Sequence, residues 1–244
     1  MKIISGKDIK RNKNWHLVLY SKPGVGKTYS VKFMNGKTLV LDLDNSSKVL
    51  SGQDVDVIVF DRVHPEEAME EFLREAPKLV ANYDNLIIDN VSSFEDDWFV
   101  EKGRSSKNGI SNELQHYSQW TNYFARVMTA IYMLPNVNIM TTAWEEQRQI
   151  TTANGQTFNQ YAPQIRDSVR DGMLGLADVI GRMMINPDTG KRGVILQGDD
   201  SMYAKNRLDN RTASSIEDLF KFGGDDHTVQ ATPVSSGTVK QSKK

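Results

Sequence analysis

The sequence contains no cysteine, which excludes disulfides, thiolate zinc sites and a cysteine nucleophile together. It has no uninterrupted apolar run longer than a few residues, far short of a membrane span. Neither sign of charge is in excess: 30 Lys and Arg stand against 31 Asp and Glu, so bulk electrostatics gives no sign of a general polyanion binder. Any nucleic-acid surface has to be local, made by clustering Lys and Arg on one face. The opening stretch MKIISGKDIKRNKNW is basic but lacks an apolar segment long enough for a signal peptide. A soluble cytoplasmic protein with no membrane partner is the expectation. At 244 residues the chain has room for one substantial α/β core and little more.

Short β-rich runs alternate with helical patterns, which predicts a mainly parallel twisted sheet flanked by helices. The expected strands are 16–20, 38–43, 57–60, 85–89 and 137–142, most of them almost continuously apolar, as strands covered on both faces are. Helices are expected over 27–34, 66–75 and 113–132. In the second, Pro65 starts the helix and Ala68, Met69, Phe72, Leu73 and Ala76 share a face. In the third, Leu114, Tyr117, Phe124, Met128 and Ile131 are expected to face the core. Beyond residue 143, the Asn154-Gly155 pair signals a hairpin. A helix near 166–177, two strands around an Asp-Thr-Gly-Lys turn and a last helix at 214–221 follow. The chain thus divides into a basic segment (1–13), one domain (14–222) and a polar tail (223–244) read as disordered.

The stretch VLYSKPGVGKTYSV, residues 18–31, carries the most chemistry. A phosphate-cradling P-loop reads Gly, four residues, then Gly-Lys-Ser/Thr. Gly26, Lys27 and Thr28 fit it, whereas Ser21 stands where the first glycine belongs. Ser21 is small enough for the turn but narrows its dihedral freedom. A glycine-rich turn between a strand and a helix exposes successive N–H groups and the positive helix end, both of which attract phosphate. Ser21, Lys22, Pro23, Gly24, Val25, Gly26, Lys27, Thr28 and Tyr29 are therefore the expected nucleotide-binding residues. Lys27 would reach the β- and γ-phosphates, and the Thr28 hydroxyl would take a Mg²⁺ position.

Such a site needs an acidic residue at the end of an apolar strand to hold Mg²⁺ through water, and Asp89 after Leu86, Ile87 and Ile88 supplies it. Hydrolysis needs a base or water-orienting group near the γ-phosphate. The run TLVLDLDNSS offers Asp42 and Asp44, which share one face of the strand. Asp44 is the candidate base; the competing role for this pair is to cap a turn with Asn45 and Ser46.

Taken in order, SKPGVGKT, LVLDLD, LIIDNVSSF, NIMTTAWEEQR, ADVIGRM and YAKNRL resemble the RecA-like P-loop ATPases over about residues 14–222. Within these the chain is similar to the small phage nucleotide-binding proteins of the Sak-four group, linked to single-strand annealing and recombination. The resemblance implies a RecA-like core with a C-terminal β-hairpin region, ATP and Mg²⁺ as cofactors, single-stranded DNA as partner and the bacterial host cytoplasm as location. It also implies a homo-oligomeric ring or filament, with a single-strand-binding protein as a further partner. The glutamate that activates water in such proteins corresponds to Asp44, one methylene shorter. Thr141, Thr142 or Glu145 would sense the γ-phosphate, and Trp144 stands where relatives often carry Gln or His. Lys205-Asn206-Arg207 resembles the Lys-x-Arg finger inserted into a neighbouring subunit's ATP site, with Lys205 and Arg207 on one face of an extended segment.

Two basic stretches are candidates for DNA contact: 101–111 with Lys102, Arg104 and Lys107, and 145–170 with Arg148, Arg166, Arg170, Phe158 and Tyr161. Basic loops with occasional aromatics suit single strands through phosphate attraction and stacking, and the resemblance places the DNA path beside loops at these positions. The N-terminal Lys7, Lys10, Arg11 and Lys13 form a third basic stretch. A non-hydrolysing, ATP-switched assembly or loading module is the alternative that Asp44 and Ser21 leave open. A small-molecule kinase is disfavoured because no Arg-rich lid is evident.

Overall fold

The computed structural model describes Ser5, residues 14–151 and residues 154–222. The expected disordered tail and, apart from Ser5, the basic N-terminal segment lie outside these residues.

Five strands come first: β1 (His16–Ser21), β2 (Thr38–Asp42), β3 (Val55–Val59), β4 (Asn85–Asp89) and β5 (Asn138–Thr151). β6 (Thr157–Pro163), β7 (Val179–Ile185), β8 (Arg192–Ile195), β9 (Lys205–Asn206) and β10 (Ala213–Ser215) follow. The sheet runs β10-β8-β7-β1-β5-β4-β2-β3. The six strands from β7 to β3 pair in parallel, while β8 and β10 add an antiparallel margin. The fold is thus mixed α/β with a mainly parallel sheet, as the alternating pattern predicts. β1, β2 and β4 are nearly continuous apolar runs because both of their faces are covered.

Alternation along β1 sends Val18 and Tyr20 to one core and Leu17 and Leu19 to the other. The larger core packs the sheet against α1 (Pro65–Leu79), α2 (Val91–Arg104), α3 (Leu114–Tyr132) and α4 (Asp167–Leu176). Its centre is aromatic. Trp120 is fully buried, with ring centroids 5.2 Å from Trp98, 5.7 Å from Phe94 and 4.8 Å from Phe124. The second core is covered by short 3₁₀ turns and the C-terminal segment, through Val31, Leu50, Ile216 and Leu219.

Several elements differ from expectation. The segment after the P-loop is a 3₁₀ helix, Thr28–Phe33, rather than an α-helix over 27–34. The Ser30 N–H is shared between the Gly26 carbonyl (3.0 Å) and the Lys27 carbonyl (3.1 Å), and Gly36 at φ +90° follows closely. Six residues containing β-branched Thr28 and Val31 do not settle into a longer i to i−4 ladder. The expected elements omit α2, whose start is capped by the Asn90 side chain accepting from the Ser93 N–H at 2.8 Å. In α3, Leu114 (90 % exposed) and Tyr117 face outward, and Trp120, Tyr123 and Val127 take the core positions beside Phe124, Met128 and Ile131. No helix forms at 214–221; β10 pairs with β8 there and turns follow. β3 is an exposed edge strand. β5 runs on past residue 142 into a hairpin arm with β6, turned through Asn154-Gly155 with Gly155 at φ +82°. Among the described residues no helix is long and apolar enough to cross a membrane.

Candidate active site

The parallel register brings the C-terminal ends of β1 and β4, with the middle of β5 between them, to one edge of the sheet. At this edge β1 ends at buried Ser21 and the chain turns through Gly24 (φ +80°) and Gly26 (φ +112°), conformations that favour glycine. Lys27 is 7 % exposed, and its ammonium donates to the Ser21 carbonyl at 3.1 Å and to Ser21 Oγ at 3.2 Å. The residue that departs from the glycine pattern therefore supplies Lys27 with a hydroxyl acceptor. Burial pushes the Lys27 ammonium below its ordinary pKa, opposed by the charges of Asp89, Asp44 and Glu145.

Thr28 Oγ1 donates to Asp89 Oδ2 at 2.6 Å. Ser46 Oγ donates to the same oxygen at 3.3 Å and lies 3.3 Å from Thr28 Oγ1, while Thr142 Oγ1 donates to Asp89 Oδ1. Burial raises the pKa of the Asp89 carboxyl, opposed first by the Thr142 and Thr28 hydrogen bonds. The structure thus joins the two expected metal-site residues, Thr28 and Asp89, and adds Ser46. This set of hard oxygens suits Mg²⁺. Among the described residues no group of three or more His, Cys, Asp or Glu is placed to hold a metal ion, so an ion here would take water and phosphate oxygens as well.

Asp42 and Asp44 both accept hydrogen bonds from the turn that follows them. Buried Asp42 caps the turn, accepting from the Ser46 and Ser47 N–H groups at 2.9 and 3.1 Å. Asp44 accepts once from Ser46 N–H (3.0 Å) and, through its other oxygen, from the Asn90 side chain next to Asp89. Of the expected sensors, Thr142 reaches Asp89. Thr141 instead bonds Tyr132, and the Trp144 N–H donates to Ser92 Oγ. Glu145 is paired with Arg182 at 2.7 Å. Lys205 and Arg207 stand beside β7, with Lys205 Nζ donating to the Leu174 carbonyl at 2.7 Å.

A family model described as an AAA domain matches residues 13–208. The chain belongs to the AAA domain family. Two solved structures resemble this AAA domain. One is a KaiC-like protein from the hyperthermophilic archaeon Pyrococcus horikoshii OT3, with 13 % identity, TM-score 0.45 and coverage of 78 % of this chain and 83 % of that one. The other is the RadB recombinase, with 11 % identity, TM-score 0.45 and coverage of 74 % and 79 %. No curated protein matches the chain.

The expected DNA-contact residues of this AAA domain are distributed differently from two flexible loops. Lys102 and Arg104 lie in the last turn of α2. Lys102 pairs with Glu66, and Arg104 donates to the Val63 carbonyl at 3.2 Å. Lys107 stays exposed in the following turn. Arg148 sits on the β5–β6 arm and donates to Gln160 at 3.0 Å; Phe158 and Tyr161 lie on β6 of the same arm. Arg148, Arg166 and Arg170 line a cavity of about 710 Å³ with Glu95 and Glu146. Arg170 is buried there against Glu146 and Asp167, and burial pushes the Glu95 carboxyl up to about 7. Sequence reasoning missed Ser46, Asn90 and Arg182. Ser46 had a local signal, a hydroxyl in the acidic turn Asp44-Asn45-Ser46, and Asn90 had another, an N-cap residue type directly before the helically spaced Val91, Phe94 and Trp98.

Proposed function

We propose that this AAA domain is a Mg²⁺-dependent ATPase that binds single-stranded DNA and promotes strand annealing or pairing in phage recombination. The observation that carries the nucleotide half is the 2.6 Å contact between Thr28 and Asp89 beside buried Lys27, which gathers the residues assigned to metal and to phosphate at one sheet edge. Hydrolysis is assigned to Asp44, held next to Asp89 through Asn90. When bound, Mg²⁺ would neutralise charge on the phosphate chain; Thr28 and Asp89 would position it, Lys27 would hold the phosphate oxygens and Asp44 would orient water. The DNA half is supported by the basic residues Lys107 and Arg148 on exposed segments and by the sequence resemblance. Lys205 and Arg207 are assigned to a neighbouring subunit's site in a homo-oligomeric ring or filament.

A second reading, an ATP-switched assembly module without turnover, is favoured by one feature: both Asp44 carboxylate oxygens already accept hydrogen bonds. Steady-state phosphate release, measured with and without single-stranded DNA over a range of protein concentrations, separates the two. The ATPase reading expects stimulation by DNA and a specific rate that rises with concentration, both lost in Arg207→Ala. A rate indifferent to DNA and to concentration contradicts the recombination role and the finger, and ATP binding without turnover selects the switch.

A further inference from the structure

Arg192 opens β8, and its exposed side chain crosses to the P-loop, where Nε donates to the Val25 carbonyl at 2.7 Å. A Cβ on Gly26 would stand 3.0 Å from Arg192 Nε and 3.6 Å from Cζ, so the guanidinium lies against this glycine. Among the described residues Arg192 forms no ion pair, and its one hydrogen bond is that from Nε to the Val25 carbonyl. The guanidinium carbon is 5.5 Å from the centre of the Tyr29 ring. Tyr29 directly follows Thr28, is 37 % exposed and has the Lys32 ammonium 3.7 Å from its ring centre, with Phe33 edge-on at 6.2 Å. An exposed ring and an unpaired arginine thus flank the loop assigned to phosphate.

We propose that Tyr29 and Arg192 hold the nucleoside half of the bound nucleotide, the base stacking on the Tyr29 ring and the Arg192 guanidinium closing over the base. This rests on the reading of Lys27 and Thr28 as the phosphate and metal residues. A base has two apolar faces, and stacking on an aromatic ring under a guanidinium suits both. Seating one between two flat groups needs roughly 7 Å, two contact distances of about 3.5 Å each. The present 5.5 Å separation is shorter, so Arg192 releases the Val25 carbonyl when the base enters. Its long side chain on an exposed strand end permits that movement.

The test is the affinity of the full chain for ATP and for inorganic tripolyphosphate, each with Mg²⁺, by titration calorimetry. Wild type is compared with Arg192→Ala, Tyr29→Ala and Tyr29→Phe, each shown by thermal melting to be folded. Arg192→Ala and Tyr29→Ala are expected to weaken ATP about tenfold, within the range for loss of one stacking contact. Tripolyphosphate affinity should change less than twofold, and Tyr29→Phe should keep ATP affinity because the ring remains. Equal losses for ATP and tripolyphosphate would overturn the proposal, since Arg192 would then brace the loop through Val25. Unchanged ATP affinity in both alanine variants would overturn it as well. If wild type binds neither compound, the phosphate reading itself fails, a result distinct from both.

Discussion

Asp89→Asn is expected to lower Mg²⁺-dependent ATP turnover by on the order of 10²–10³, the loss typical of removing one preorganised electrostatic group, while raising the melting temperature of the nucleotide-free protein. The two effects have one cause. Asp89 is 1 % exposed, and burial is the largest influence on its carboxyl, raising its pKa. A group raised in this way costs stability when the pH forces it to ionise. The amide of the variant carries no charge, and the Thr28 and Thr142 hydroxyls can both donate to and accept from it. The gain in melting temperature should therefore grow as pH rises toward neutral and vanish below 3.8, the carboxyl's ordinary value, where Asp89 is neutral in both states. Phosphate release and thermal melts over that pH range check it. A variant that melts several degrees lower at neutral pH would show that ionised Asp89 supports the fold, against the electrostatics described above.

Trp120→Ala is expected to destabilise the domain by about 3–5 kcal/mol, the range for truncating a large buried aromatic. With about 2–4 °C per kcal/mol for a chain of this size, the melting point should fall by roughly 10 °C. Trp120 is the hub of the aromatic core, in ring contact with Phe94 and Trp98 of α2 and with Phe124 one turn along α3. Removing it opens a cavity between two helices and the sheet that rigid rings cannot refill. Trp120→Phe should cost less than half as much. Denaturant unfolding provides the measurement, and a loss under 1 kcal/mol would contradict this packing.

What the chain disclosed about itself follows the range of the interactions. The P-loop pattern is contiguous, so its residue types and order point to Lys27 and Thr28 without a structure, and a strand whose apolar run ends in an acid points to Asp89. Thr142, Ser46 and Asn90 converge on Asp89 and Asp44 through strand register, which no local pattern encodes. Arg192 meets Val25 across 167 residues. The sheet was legible because both-face burial makes β1, β2 and β4 apolar throughout. α2 was overlooked although Asn90 and the i, i+3, i+7 spacing of Val91, Phe94 and Trp98 carry a helix signal, diluted by Ser92, Ser93 and the acidic Glu95-Asp96-Asp97 run. The expected helix at 214–221 failed for a related reason. Ile216 and Leu219 are spaced as on a helix, but they reach the second core from turns after β10. Lys102 and Arg104 read as a basic loop until α2 gave them partners of their own.

The central claim is that the turn at Ser21–Thr28 holds the phosphates of a hydrolysable nucleotide. Phosphate release from ATP with Mg²⁺, comparing wild type with Lys27→Ala, tests it most directly. Wild type should turn ATP over, and the variant should lose on the order of 10²–10³ of that rate, because the buried ammonium beside Thr28 and Asp89 is gone. A Lys27→Ala protein that is folded and hydrolyses ATP as fast as wild type would contradict the account.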